Sequence, residues 1–404
     1  MSMLALIRHG PEIRYLEGLR VRYTGNGVTV LVERSVVKEV SRAIGDSYQI
    51  HSYDCSAPSR RRRLASLIVA LSDSFARKVN ERRGIGHFSY SRRNQGRSIA
   101  RGTANPGGIK LASILFLSTG VSLAWALARW LYRDETLVSC FKKSGCDRLL
   151  VFDHLGGTDE IACNARLAGL AVDYFLNNHK DLSIRPYVPP IANVFSCWFD
   201  CQIEAALEIC GSRKKMRPVG LLRIEKMLRS CTATPIRPSS QAIHVLHCCS
   251  DPRRRPYEIV SLMQICELVK NDGLPIRLTV RLNPMDNTRV MKLLQAYNFV
   301  DVAESGWIWN KTRFLNIPDR ASDTEYARQL FDADVVSALP STTLVEGYLF
   351  GKKAICFIDA ESPDSTFEQE EERLCIPDTV RNSSLFKRVY KAEEFVNTVM
   401  GRQL

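Results

Sequence analysis

Short apolar blocks recur along the chain, separated by turn residues. Met3–Ile7 and Val28–Val32 are short apolar runs split by the turn signal Thr24-Gly25-Asn26-Gly27, and Val36–Ile44 follows with helical spacing. Residues 56–108 lose this order; within them Leu64–Val79 fits an amphipathic helix and Ser89–Gly108 a mobile loop. From Arg148 the alternation sharpens. Leu149–Phe152 predicts a buried strand ending at Asp153, then a Gly-rich loop, a helix over Asp159–Leu167 and a second strand over Leu170–Leu176. Pro186, Pro189 and Pro190 interrupt the chain ahead of a helical Ile203–Ile209.

The pattern then restarts after a linker-like Ala233–Ser240. Ala242–His247 predicts a strand, Cys248–Pro256 a loop, Tyr257–Lys270 a helix and Ile276–Leu282 the next strand. A loop Asn283–Asn287 and a helix Thr288–Tyr297 come next. Strand Asp334–Ser337, turn Pro340–Thr343, helix Leu344–Phe350 and strand Ala354–Phe357 follow. Ala392–Val399 predicts a closing helix, expected to return toward the first domain. Strands alternating with helices imply parallel sheets. The expected class is therefore α/β with two Rossmann-like domains, residues 1–215 and 216–404, facing a central cleft.

Composition refines this picture. A chain of 404 residues suits two or three domains, and a hydrophobic fraction of 45% excludes a disordered chain, a collagen and a polytopic membrane protein. The net charge is +13, but residues 60–101 alone hold twelve Lys/Arg against only Asp73 and Glu81. Such a cluster calls for an anionic partner: phospholipid head groups, a phosphorylated acceptor or nucleic acid. Just downstream, Leu111–Leu131 is long enough to cross a bilayer. Its serines and Arg129 favour a helix buried in a large domain over an embedded or interfacial one. The thirteen cysteines include no CxxC pair, which argues against a metal centre and for reduced thiols in a cytosolic protein. The opening MSMLALIRHGPE lacks the pattern of a signal peptide.

Two stretches carry candidate chemistry. In Asp334–Gly347 a strand delivers Ser341, Thr342 and Thr343 to the first turn of a helix, where free N–H groups and the helix dipole favour phosphate. Glu346 stands where a carboxylate could accept from ribose hydroxyls; the competing reading is a capping box, Thr343-x-x-Glu346. In Leu278–Asp286 a strand ends in Arg281-Leu282-Asn283-Pro284. Arg281 could grip phosphate with two donors, or simply face solvent before a plain turn. Arg253, Arg254 and Arg255 lie in the loop after the first strand of the second domain and could close on a diphosphate, although a solvated basic loop is the plainer reading.

Together these stretches resemble the carboxy-terminal half of GT-B-fold transferases that build bacterial surface polymers. The resemblance includes the CDP-glycerol glycerophosphotransferases and the sialyl- and Kdo-transferases that use CMP-sugars. Arg281-Leu282-Asn283-Pro284 looks like their strand-end motif, with Asn283 where they usually carry His. Ser341-Thr342-Thr343-Leu344-Val345-Glu346 with Gly351-Lys352 looks like their hydroxyl-rich turn. In the first half, Asp153, Glu160, Ala165-Arg166-Leu167-Ala168-Gly169, Asn178-His179, Tyr187-Val188-Pro189 and Trp198 follow the family order, with Lys180 replacing a glycine. The resemblance implies a glycosyltransferase moving a sugar or polyol phosphate from a nucleotide donor, CMP- or CDP-linked, to a glycan or lipid-linked acceptor. Arg281, Asn283, Ser341, Thr342 and Thr343 would stabilise the leaving phosphate without metal or other cofactor. Asp153, then His179 or Glu160, would serve as the base. Residues 60–101 would hold the protein peripherally at the inner face of the cell membrane, with no nucleic acid expected.

Three rivals stand beside it. Leu6-Ile7-Arg8-His9-Gly10 looks like the signature of histidine phosphatases, without a convincing second His. The basic segment alone could belong to a nucleic-acid-binding protein, although its aromatics are sparse and no named motif appears. A sugar-nucleotide 2-epimerase shares the fold and the hydroxyl-rich turn, but needs a full set of carboxylates around the sugar.

Overall fold

A computed structural model describes residues 2–8, 12–22, 27–54, 59–82, 120–152, 158–176, 188–200, 202–203, 207, 216–219, 242–250, 257–284, 290–305, 307–310, 315–318, 320–358, 369 and 376–402. They fall into two units, Met1–Leu222 and Arg223–Leu404.

The first unit is built on β1 (Met3–Ile7), β2 (Val28–Glu33), β3 (Gln49–Tyr53), β4 (Arg148–Val151), β5 (Ala171–Phe175), β6 (Val194–Cys197) and β7 (Met216–Pro218). The sheet order is β3-β2-β1-β4-β5-β6-β7, and all pairs are parallel. Every residue of β1 is buried, as a central strand covered on both faces requires. Around the sheet lie α1 (Ile13–Arg22), α2 (Val37–Ile44), α3 (Arg60–Arg82), α4 (Gly120–Tyr132), α5 (Glu135–Lys143) and α6 (Asp159–Leu167). Two expectations change. Met216–Pro218, placed in the second domain by the 215/216 division, pairs with β6 as the seventh strand of this sheet. The stretch expected as Leu64–Val79 is a helix that begins four residues earlier, because its four arginines are themselves good helix formers.

The second unit is built on β8 (Ile243–Cys248), β9 (Ile276–Arg281), β10 (Val300–Ala303), β13 (Val335–Ala338), β14 (Lys353–Phe357) and β15 (Phe386–Val389), ordered β10-β9-β8-β13-β14-β15. Every ladder is parallel. A separate hairpin joins β11 (Trp307–Asn310) to β12 (Leu315–Pro318). The helices are α7 (Glu258–Asn271), α8 (Arg320–Asp332), α9 (Thr342–Leu349), α10 (Asp378–Arg381) and α11 (Ala392–Met400).

Neighbouring residues of each central strand feed opposite cores, the period-2 rule of a strand covered on both faces. Val245 and Val335 join Leu262, Ile265, Leu278 and Phe395. Leu246 and Val336 join Tyr326 and Leu330 on the other face. Phe395, Val396 and Val399 place one face of α11 in this unit's own core. Residues 290–296 form a 3-10 turn where a helix over Thr288–Tyr297 was expected.

Both sheets are doubly wound: the chain fills one side of its first strand, then returns to fill the other. Between β8 and β13 the crossovers leave in opposite directions, which makes the carboxyl ends of these strands the topological switch point where folds of this kind bind ligands.

Candidate functional site

The carboxyl edge of the second sheet collects most of the residues expected to bind a donor. Cys248 pairs in register with Arg281, and His247 with Ser337, so β8, β9 and β13 end side by side. Past β13 the backbone is extended at Ser341 and then enters α9. Ser341 is the N-cap, yet its side chain makes no capping hydrogen bond. Its Oγ is buried and has no hydrogen-bond partner among the described residues. The first N–H groups of any helix lack partners inside it, and the dipole makes that end positive. Ser341 thus leaves a helix terminus uncapped and a buried hydroxyl unused, the arrangement an anionic oxygen would complete.

Behind this turn lies a bonded cluster. Thr343 contacts both the Cys248 thiol and the Tyr326 hydroxyl. Tyr326 donates to Glu346 Oε2, which rules out the capping-box reading of Thr343-x-x-Glu346: the cap is Ser341 and the carboxylate is turned to Tyr326. Arg281 is only 6% exposed, so it is not the solvent-facing residue of the plainer reading. Its Cζ sits 4.9 Å over the Tyr326 ring, Nη1 donates to Gln329 Oε1 at 2.9 Å and Nη2 to the Ser305 carbonyl at 3.2 Å. Each terminal nitrogen of the guanidinium therefore already donates one of its two hydrogens to the protein. Its charge remains lodged beside the edge. Asn283 is half-buried and reaches the Cys249 carbonyl at 3.5 Å.

Burial dominates the electrostatics. It pushes the Cys248 thiol up to about 12, with Arg281 opposing and Glu346 reinforcing the shift. It also raises Tyr326 well above the usual phenol range, again reinforced by Glu346. Both groups stay neutral at physiological pH.

A second network was not singled out in the sequence. His247 Nδ1 lies 2.9 Å from Ser337 Oγ, and Nε2 lies 3.0 Å from Glu258 Oε1. Glu258 also accepts the Ser250 N–H at 2.9 Å and so pins the loop that leaves β8. His247, Cys249 and Glu258 place potential ligand atoms within 4.8 Å of one another. The His–Glu hydrogen bond and the Ser250 N–H already occupy these groups, which fits a structural network. The available signal was positional: a His closing a strand and a Glu opening the next helix.

The first unit holds the expected bases. Asp153 and His179 lie outside the described residues, as do His9, Tyr187 and Arg253–Arg255. Glu160 opens α6 and pairs with Arg62 Nε at 3.0 Å, while Arg62 also binds the Asp134 carboxylate. Its carboxyl is raised by burial, opposed by Arg62. Glu160 therefore ties α3 to α6, and the base role expected for it competes with this ion pair. Gly169 adopts φ 96°, a left-handed helix stop, and Trp198 Nε1 donates to the Leu176 carbonyl at 2.7 Å, so these two family-like positions do structural work. At the end of β1, Arg8 Nη1 is buried without a hydrogen-bond partner among the described residues.

No protein-family model matches the chain, and no curated protein matches its sequence. Solved structures do match in fold. A candidate UDP-N-acetylglucosamine 2-epimerase from Listeria monocytogenes superposes with TM-score 0.56 at 10% identity, over 99% of this chain and 86% of that one. The UDP-GlcNAc 2-epimerase from Neisseria meningitidis bound to UDP-GlcNAc gives 0.51 at 10% identity over 100% of both chains. The UDP-GlcNAc 2-epimerase from Methanocaldococcus jannaschii gives 0.50 at 10% identity, over 99% and 91%. The fold is GT-B-like, with two Rossmann-like units.

Proposed function

We propose that the chain is a sugar-nucleotide enzyme that binds a nucleotide donor at the carboxyl edge of the second sheet and transfers its sugar, or polyol phosphate, to a glycan or lipid-linked acceptor. The observation that carries this reading is Ser341: a buried hydroxyl without a hydrogen-bond partner among the described residues, at a helix N-terminus that its side chain does not cap. A phosphate oxygen placed there accepts from the hydroxyl and the first N–H groups. The nearby Arg281 charge favours the dianionic leaving group through space. The transfer needs one base on the acceptor side, for which Asp153 and His179 are the proposed residues, and no step calls for a metal.

The second reading is epimerisation of a sugar nucleotide at the same edge. The fold likeness to 2-epimerases favours it. Against it stands the state of Glu258 and Glu346, the buried carboxylates at this edge among the described residues, each already bonded to a protein neighbour.

Thermal melting with CMP, CDP, UDP, GDP and their sugars tests the shared premise. A ligand at about 100 times its Kd stabilises the folded state by about 2.7 kcal/mol, so at least one of these nucleotides raises Tm by several degrees. A silent panel overturns the proposal. With the binding nucleotide in hand, NMR separates the two chemistries: epimerisation yields a new sugar nucleotide without acceptor, and transfer yields free nucleotide only when acceptor is present.

A further inference from the structure

The helices α3 and α4 are apolar on two faces at once. Inward, Ala65 and Val69 pack against Trp125, Ala128, Leu131 and Tyr132. Outward, Leu64, Leu67, Leu123, Leu127 and Trp130 are between 47% and 62% exposed. A helix that is hydrophobic all round is normally buried all round, yet no described element covers this side. Leu64 and Leu67 are three apart, and Leu123, Leu127 and Trp130 follow i, i+4, i+7 spacing, so each helix contributes one row. The start of α3 lies against the end of α4: Tyr132 Oη donates to Ser66 Oγ at 2.9 Å, and the Arg61 guanidinium sits 4.6 Å over the Trp130 ring. Arg61 is one turn from Leu64 and Trp130 is one turn from Leu127. The two rows thus form one patch.

Its charge is one-signed. Residues 60–72 and 120–133 hold six arginines and no Asp or Glu. Arg62 turns inward to Asp134 and Glu160 and Arg133 pairs with Glu135 at 2.5 Å, whereas Arg60, Arg61, Arg63 and Arg129 are exposed. Exposed leucines, an exposed tryptophan and a fringe of exposed guanidinium groups are the chemistry of a headgroup–acyl boundary with anionic lipid. No helix among the described residues is long and apolar enough to cross a membrane, so α4 would lie in the interface and not span it.

We propose that the α3–α4 face docks on an anionic phospholipid bilayer, the leucines and Trp130 entering the interface and the arginines meeting lipid phosphates. The proposal does not depend on the nucleotide site. The test is flotation of the full chain with vesicles of phosphatidylcholine alone and with about one third phosphatidylglycerol. The chain floats with the anionic vesicles and not with the neutral ones. The triple variant Leu67→Gln, Leu127→Gln, Trp130→Ser, changed only at exposed positions, keeps the wild-type Tm but loses binding by about tenfold or more. Trp130 fluorescence adds an independent readout: its emission shifts to the blue on the anionic vesicles, and does so in a variant where Trp125 is replaced by Phe. Three results overturn the proposal: no flotation with anionic lipid, undiminished binding by the triple variant, which would assign the attraction to charge alone, or a wild-type dimer in solution that the triple variant dissolves.

Discussion

An N-cap serine normally holds its helix by a side-chain hydrogen bond, and replacing it with alanine costs about 1 kcal/mol. Ser341 makes no such bond. Ser341→Ala is therefore expected to leave Tm unchanged or slightly raised in the absence of ligand, since a buried hydroxyl without a partner is removed. The same change weakens nucleotide binding roughly tenfold, the loss of one hydrogen bond to a charged group. Melting and titration on one preparation check both; a drop in Tm with unchanged affinity would make Ser341 a plain cap. Cys248 offers a pH test. Its folded value is pushed up to about 12, against about 8.5 in an unfolded chain. Between these values the folded state keeps a proton that the unfolded state releases, so this contribution is full below about pH 8.5 and is lost as pH climbs toward 12. Cys248→Ala should flatten the fall of the urea midpoint with alkaline pH; an unchanged slope would show that the thiol is not held neutral by burial. At this scale the hydroxyl-rich turn was legible, because Ser, Thr and Glu at those spacings carry local chemistry. The state of Arg281 was not legible, because its partners Gln329 and Tyr326 lie about 45 to 48 residues further on in a helix, α8, that the apolar pattern did not mark.

The turn keeps its position because α9 packs tightly on β13. An added Cβ at Gly347 would lie 2.8 Å from Val336 Cβ and 3.0 Å from its Cγ2. Val336 is fully buried in a central strand and has nowhere to move. Gly347→Ala should therefore destabilise by about 1–3 kcal/mol through overpacking, outweighing the ~1 kcal/mol that alanine gains over glycine in a helix. Adding Val336→Gly removes all three contacting atoms, so the pair should cost less than the sum of the singles in denaturant titration. Additive losses would refute the contact. Elements with strong period-2 or 3.6 patterns, such as β8, β9, α7 and α11, were readable within a few residues. The β11–β12 hairpin and α8 were not. Among the described side chains of α8 the buried apolar ones are Tyr326, Ala327 and Leu330, in a mostly polar sequence, so tertiary packing decides its state.

At the scale of the whole molecule, the chain repeats one construction. Each unit opens with an apolar strand, adds strands to one side, then returns to fill the other. The nucleotide panel and the vesicle experiment interrogate different units, so each can fail without the other. The alternation of buried strands and amphipathic helices determined the α/β class, the parallel sheets and the existence of two units, because burial of apolar periodicity is a local property summed along the chain. The same residues also marked where phosphate chemistry could sit. Only the tertiary structure decided which polar groups are already consumed. Glu160 is drawn to Arg62, Glu346 to Tyr326 and Arg281 to Gln329, while the Ser341 hydroxyl has no hydrogen-bond partner among the described residues. Hydrogen-bond satisfaction depends on neighbours distant in sequence, and a one-dimensional pattern cannot count them.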